Sequence, residues 1–100
     1  MNVVEILAQA ESAADDHFKY ARFVSGAEAL QSDARNFTNE RMQSEYQACW
    51  FELEIVNALA LDEWESDGKP DVWLDPWNER YKQDAKELVG KLCSLLSRSV

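Results

Sequence analysis

Apolar positions recur at helical spacing in three long stretches of this 100-residue chain. In residues 2–25 the steps alternate between four and three, which places these positions on one face of a helix. The face consists of Val3, Leu7, Ala10, Ala14, His17, Ala21 and Val24. Because glycine is common just beyond a helix C-terminus, Gly26 predicts that this first helix ends at Ser25.

Residues 39–65 predict a second long helix, and this one is apolar on two sides. One face repeats at steps of four and three, and consists of Met42, Tyr46, Cys49, Leu53, Val56, Ala60 and Trp64. A second set lies about 150° around the helix, and consists of Ala48, Phe51, Ile55, Ala58 and Leu59. A helix that is apolar on two sides is covered on two sides. We therefore expect it to pack against both other long helices, or against one of them and a partner chain.

A third long helix is predicted over residues 76–97, with Asp75 as its N-cap and Pro76 in its first position. Between the first two long helices, the spacing of Ser25 and Glu28 fits a capping box and predicts a short helix over 26–35.

No segment shows the alternation of a strand. The chain is thus predicted to form one all-α domain over residues 1–100, a small antiparallel bundle of three long helices and one short helix.

The negative charge of the chain is concentrated in one segment. The chain holds 19 acidic and 10 basic residues, and its net charge of −9 lies entirely between residues 42 and 79. Such an acidic protein is not expected to bind nucleic acid or an anionic membrane directly, because both require a positive surface. Cys49 and Cys93 fall on apolar faces, and the first residues lack the pattern of a secretory signal, so we expect a cytoplasmic protein with reduced thiols.

The sequence contains few candidate catalytic residues. His17 is the single histidine and lies at the centre of an apolar face, which favours a buried core residue. Nothing in the pattern requires a cofactor, and we expect no enzyme. One alternative is a Mg²⁺-dependent enzyme, because two acidic pairs resemble in outline those of all-α nucleotide pyrophosphohydrolases. The pairs are Asp62 with Glu65 and Asp84 with Glu87.

The segment 62–81 combines three of the four tryptophans with seven acids. Interfaces are enriched in Trp and Tyr, with charges at the rim, so this corner predicts a contact surface with Trp73 as its exposed anchor. Glu52 is expected either in an exposed acidic stripe or buried beside His17 or Arg41. The predicted partner-binding residues are Glu45, Glu52, Glu63, Glu65, Asp67, Asp71, Trp73 and Asp75.

These features predict a non-enzymatic module that docks on a basic protein, of the kind that handles nucleic acid, and blocks it. In size and charge the chain resembles phage-encoded inhibitors of host defence nucleases, such as anti-CRISPR proteins, and nuclease immunity proteins. A homodimer formed through the second apolar face of residues 39–65 is the alternative.

Overall fold

The computed structural model describes residues 2–99, which form α-helices and one 3₁₀ turn and contain no strand. The elements in chain order are α1 (Val3–Ala10), α2 (His17–Gln31), the 3₁₀ turn (Ala34–Asn36), α3 (Glu40–Ser66), α4 (Leu74–Arg80) and α5 (Lys82–Ser99). The predicted all-α bundle is confirmed.

Helices α2 and α3 run antiparallel. Six side-chain hydrogen bonds join them, and in five of these pairs the residue number on α3 falls as the number on α2 rises. These five pairs are His17–Asn57, Tyr20–Leu53, Val24–Trp50, Ala27–Tyr46 and Gln31–Gln43.

Helix α3 is the central element, because it packs against both α2 and α5. Helix α3 also runs antiparallel to the chain through α4 and α5, since Glu52 pairs with Lys91 of α5 and Glu63 pairs with Arg80 of α4. All five helices contribute to the largest fully buried side chains, which are Trp77, Tyr20, Tyr46, Phe23, Ile6, Leu53, Leu92, Leu96 and Val24.

The predicted first helix over 2–25 is interrupted. Helix α1 ends at Ala10, and α2 begins at His17 after a tight turn. Asp16 caps α2, with its carboxylate accepting from the Lys19 amide at 2.8 Å. The turn also frees the carbonyl of Ala14, which accepts from the indole N–H of Trp77 at 2.9 Å. The predicted apolar face still points into the core on both sides of this turn, since Ala14 and His17 are buried.

The predicted short helix over 26–35 is also wrong. Gly26 does not end a helix but lies inside α2, which continues to Gln31 because Ala27 and Leu30 are buried on its inner face. The chain leaves α2 through the 3₁₀ turn. The side chain of Asn36 then donates to the carbonyl of Leu30, in the last turn of α2, at 3.1 Å.

Helix α3 matches its prediction closely. Its N-cap is Asn39, whose side chain accepts from the Met42 amide at 2.9 Å. The helix ends at Ser66, and the chain reverses through Gly68, whose φ of 94° lies in the left-handed region that favours glycine.

The predicted third helix over 76–97 is divided into α4 and α5 at Tyr81, whose φ of −124° departs from helical geometry. It also begins earlier than predicted. Trp73 holds the N-cap position and Asp75 lies in the first turn, where Pro76 is tolerated because that turn needs no amide donor.

Candidate interaction surface

The aromatic corner of residues 62–81 is a packed part of the bundle. Trp73 is only 6% exposed, so the prediction that it forms an exposed anchor is wrong. Its ring centroid lies 5.8 Å from that of His17 and 6.1 Å from that of Tyr81. Trp73 therefore closes the end of the bundle.

The three indole N–H groups of this corner all find partners within the chain. Trp64 donates to the carbonyl of Pro70 at 2.9 Å, and Trp73 donates to the Asp67 carboxylate at 2.8 Å. Trp77 donates to a carbonyl before α2, as described above. These bonds fasten the turn after α3 to the rest of the protein, which explains why so many aromatic residues occur together.

Three predicted acidic residues line one flank of α3, and each has an internal cation. Glu45 pairs with Arg41 on the same helix at 3.3 Å. Glu52 pairs with Lys91 of α5 at 3.4 Å, and Glu63 pairs with Arg80 of α4. Glu52 is exposed, so the expectation that it is buried beside His17 or Arg41 is wrong, whereas Glu45 and Glu63 are half-buried.

The other predicted acids follow the chain from the end of α3 to the first turn of α4. Glu65, Asp71 and Asp75 are exposed, and none has an ion-pair partner among residues 2–99. Asp67 is exposed as well, but it accepts the Trp73 hydrogen bond. This end of the molecule presents carboxylates to solvent.

The second apolar face of α3 is open to solvent. We call it the outer face of α3, and its members are Ala48, Phe51, Ile55, Ala58 and Leu59, all of them exposed. The exposed fractions of the three large side chains are 59% for Phe51, 45% for Ile55 and 57% for Leu59. They fall at i, i+4 and i+8, so they form a row that rises about 12 Å along the helix.

The outer face remains open because α2 and α5 both pack against the half of α3 that carries its other apolar set. The buried residues of α3 are Tyr46, Cys49, Leu53 and Ala60, which all belong to the other apolar set. The expectation that α3 packs against both other long helices is confirmed, but the expectation that this packing covers its second apolar face is wrong.

Carboxylates border the outer face. On the helical wheel Glu52 lies on one side of the row and Glu54 on the other, while Asp62 follows Leu59 along the same line. The outer face is thus an apolar row between acidic flanks.

A groove of about 430 Å³ runs along one side of this face, between α3 and α5. Ile55, Val56 and Leu88 contribute its apolar residues, and its charged residues are Glu52, Asp84, Glu87 and Lys91. In the sequence Asp84 and Glu87 were candidates only for the alternative Mg²⁺ site, and this groove was not predicted. One sequence feature could have indicated the groove: the helix that holds Asp84 and Glu87 follows α3 after a short connection and can therefore pack against it.

A second groove, of about 490 Å³, lies between α1 and α5. Leu7, Val89 and Cys93 contribute apolar surface, and Gly90 lies between them. A Cβ atom built on Gly90 meets no atom within 4 Å. Packing within residues 2–99 therefore does not require glycine at this position.

His17 is a core residue, as predicted, and is 4% exposed. Its Nε2 lies 3.1 Å from the Oδ1 of Asn57, which accepts the imidazole hydrogen. Its Nδ1 is buried without a hydrogen-bond partner among the described residues. Burial lowers the pKa of His17, which favours the neutral ring.

The Mg²⁺ interpretation requires Asp62, Glu65, Asp84 and Glu87 to form one ligand set. Within residues 2–99 no three His, Cys, Asp or Glu side chains form a group that could hold a metal ion. The structure therefore does not assemble that set.

No helix in the described part of the chain is long and apolar enough to span a membrane. No protein-family model, curated protein or solved structure matches this chain.

Proposed function

We propose that this protein is a non-catalytic binding module whose outer face of α3 docks on a basic partner protein. The observation that carries the proposal is the row of Phe51, Ile55 and Leu59, each about half exposed and flanked by carboxylates. Contiguous exposed apolar surface with a polar border is characteristic of protein interaction sites.

Charge supports a basic partner. Residues 42–79 contain the outer face and carry the whole net charge of −9. Complementary charges accelerate encounter and fix the orientation of two proteins, while the apolar residues in the middle provide binding energy. Ion pairs such as Glu52–Lys91 are exposed and contribute only about 0–1 kcal/mol, so a partner's cations can exchange with the internal ones.

The same charge supports a more specific role. A protein that handles nucleic acid has a basic surface for phosphates, and an acidic protein bound there excludes the nucleic acid. We therefore extend the proposal to an inhibitor of such a protein, comparable in type to phage anti-defence and nuclease immunity proteins. The two free thiols, Cys49 and Cys93, fit action in the reducing cytoplasm.

Self-association is the second candidate, because a second copy could cover the same apolar row. A symmetric contact through α3 would place the acidic flanks of two copies together, and each copy carries −9. Opposed like charges are unfavourable at an interface. Charge therefore favours a basic partner over a second copy.

Site-specific photo-crosslinking tests the proposal. A benzophenone amino acid is placed at Phe51, and at Val72 as the matched control, since Val72 is 75% exposed on the turn after α3. Each variant is irradiated in extract of the cells that make the protein, at low and high salt.

We expect position 51 to capture a basic protein at low salt, with less capture at high salt, and position 72 to capture it poorly. Equal capture from both positions would contradict the proposal. A crosslink from position 51 only to a second copy would establish the homodimer instead.

A further inference from the structure

The groove between α3 and α5 has the form of a helix-binding site. Two adjacent antiparallel helices leave a trough between them, and Ile55, Val56 and Leu88 give this one an apolar floor. Ile55 is 45% exposed and belongs to both the groove and the outer face, so the two surfaces are continuous.

The walls of this groove are acidic. Glu52, Asp84 and Glu87 line it, against one base, Lys91. Lys91 is already occupied by Glu52 at 3.4 Å, and both side chains are more than half exposed. Asp84 has no ion-pair partner among residues 2–99. The groove therefore offers carboxylates to an incoming cation.

The dimensions fit a helix. The lining of the groove extends from Asp84 to Lys91 on α5, about 10 Å along the axis, and the adjoining outer face extends from Ala48 to Leu59, about 16 Å or three helical turns. A helix laid in the trough between two others packs its ridges into their grooves, as amphipathic helices do in peptide-binding proteins.

We propose that the groove between α3 and α5, with the adjoining outer face, binds an amphipathic basic helix of the partner. This inference rests on the proposed function and names the part of the partner that docks. The apolar side of the helix covers Ile55, Val56 and Leu88. Its flanking Lys or Arg side chains pair with the acidic walls. A second copy is a poorer occupant, because its α3 would bring further carboxylates.

A labelled synthetic peptide tests this proposal. The probe is a stapled helix of about five turns, about 18 residues, with Leu at i, i+3, i+4 and i+7 and with Lys and Arg on its flanks. The control peptide has the same composition in scrambled order. Binding is followed by fluorescence anisotropy at two salt concentrations, and backbone NMR shifts locate the site.

Three variants of the protein are compared, each checked for helix content by circular dichroism. Ile55→Ser alters the floor, and the double variant Asp84→Asn/Glu87→Gln alters a wall. Glu79→Gln removes an exposed carboxylate that does not line the groove. We expect Ile55→Ser to weaken binding about tenfold. The wall variant should weaken it several-fold and reduce its salt dependence, and Glu79→Gln should have little effect.

Binding of the scrambled peptide with equal affinity would overturn the proposal. So would shifts centred on the groove between α1 and α5, or no saturable binding up to about 1 mM. If position 51 crosslinks to a basic protein while the helical peptide does not bind, the helix proposal fails and the proposed function stands. Specific peptide binding without that crosslink would contradict the proposed docking on a partner and would show only that the groove can hold a basic helix.

Discussion

The indole N–H of Trp73 donates to the Oδ2 atom of Asp67 over 2.8 Å. This bond spans the turn between α3 and α4, and Trp73 lies buried beneath it. Two residues expected to contact a partner are therefore joined to each other, and their bond holds the loop against the bundle.

Replacement of Trp73 should reduce stability rather than only binding. We expect Trp73→Ala to lower the free energy of unfolding by about 3 kcal/mol, because it leaves a cavity beside His17 and Tyr81. Asp67→Ala should cost about 1 kcal/mol through the lost hydrogen bond. Urea denaturation measures both values. The matched control is Asp71→Ala, an exposed residue without an ion-pair partner in the described chain, which should change stability by less than about 0.5 kcal/mol. Unchanged stability of Trp73→Ala would contradict this assignment.

Stability should depend on the charge state of His17. Burial lowers the pKa of His17 in the folded protein below its ordinary value of 6.5, with Asn57 and Asp16 opposing the shift. The unfolded chain then binds more protons than the folded one as the pH falls below 6.5. The contribution of neutral His17 is therefore present above pH 6.5 and is lost as the pH falls through its folded pKa.

Comparison with His17→Gln separates the effect of His17 on the pH dependence of stability from the effect of the acidic residues, which both proteins share. We expect the urea midpoint of the wild type to fall more steeply below pH 6.5 than that of His17→Gln, whereas the two should run parallel above it. An NMR titration of the imidazole reports its pKa directly. A value at or above the ordinary one would contradict the buried, neutral assignment.

Gly90 should be replaceable with a gain in stability. Glycine inside a helix is less favourable than alanine by about 0.5–1 kcal/mol, and a Cβ on Gly90 meets no atom within 4 Å. Gly90→Ala should therefore raise the melting temperature. Gly68→Ala provides the opposite control, since a φ of 94° strains any residue with a Cβ. A destabilised Gly90→Ala protein would show that its side of α5 is packed more tightly than the structure indicates.

Helix α3 was predictable almost to the residue because its signals are local. Asn39 caps its first turn, and the apolar period is unbroken up to Trp64. The break before His17 was not predictable in the same way, because its period continues across the turn. Besides the local Asp16 cap, the turn is held by the bond from Trp77 to the carbonyl of Ala14, 63 residues away in the chain.

The candidate surface likewise has features that follow from local sequence and features that depend on long-range packing. The second apolar set of α3 was visible from spacing alone, but its exposure depends on α2 and α5 sharing the opposite side of the helix. The position of Trp73 likewise depends on the rings around it. The acidic groove forms where α3 and α5 pack together, and the sequence pattern does not show which residues of the two helices lie opposite each other.

The most direct measurement is the affinity of the crosslinked partner for two matched double variants. Phe51→Ser/Leu59→Ser removes two of the three large side chains of the apolar row, which are 59% and 57% exposed. Val4→Ser/Val72→Ser removes two apolar side chains elsewhere, each 75% exposed in the native protein. Isothermal titration of the purified partner should show binding weakened about 100-fold or more by the first pair and nearly unchanged by the second. Equal affinity of the first pair and the wild type would contradict the assignment of the outer face of α3 as the binding surface.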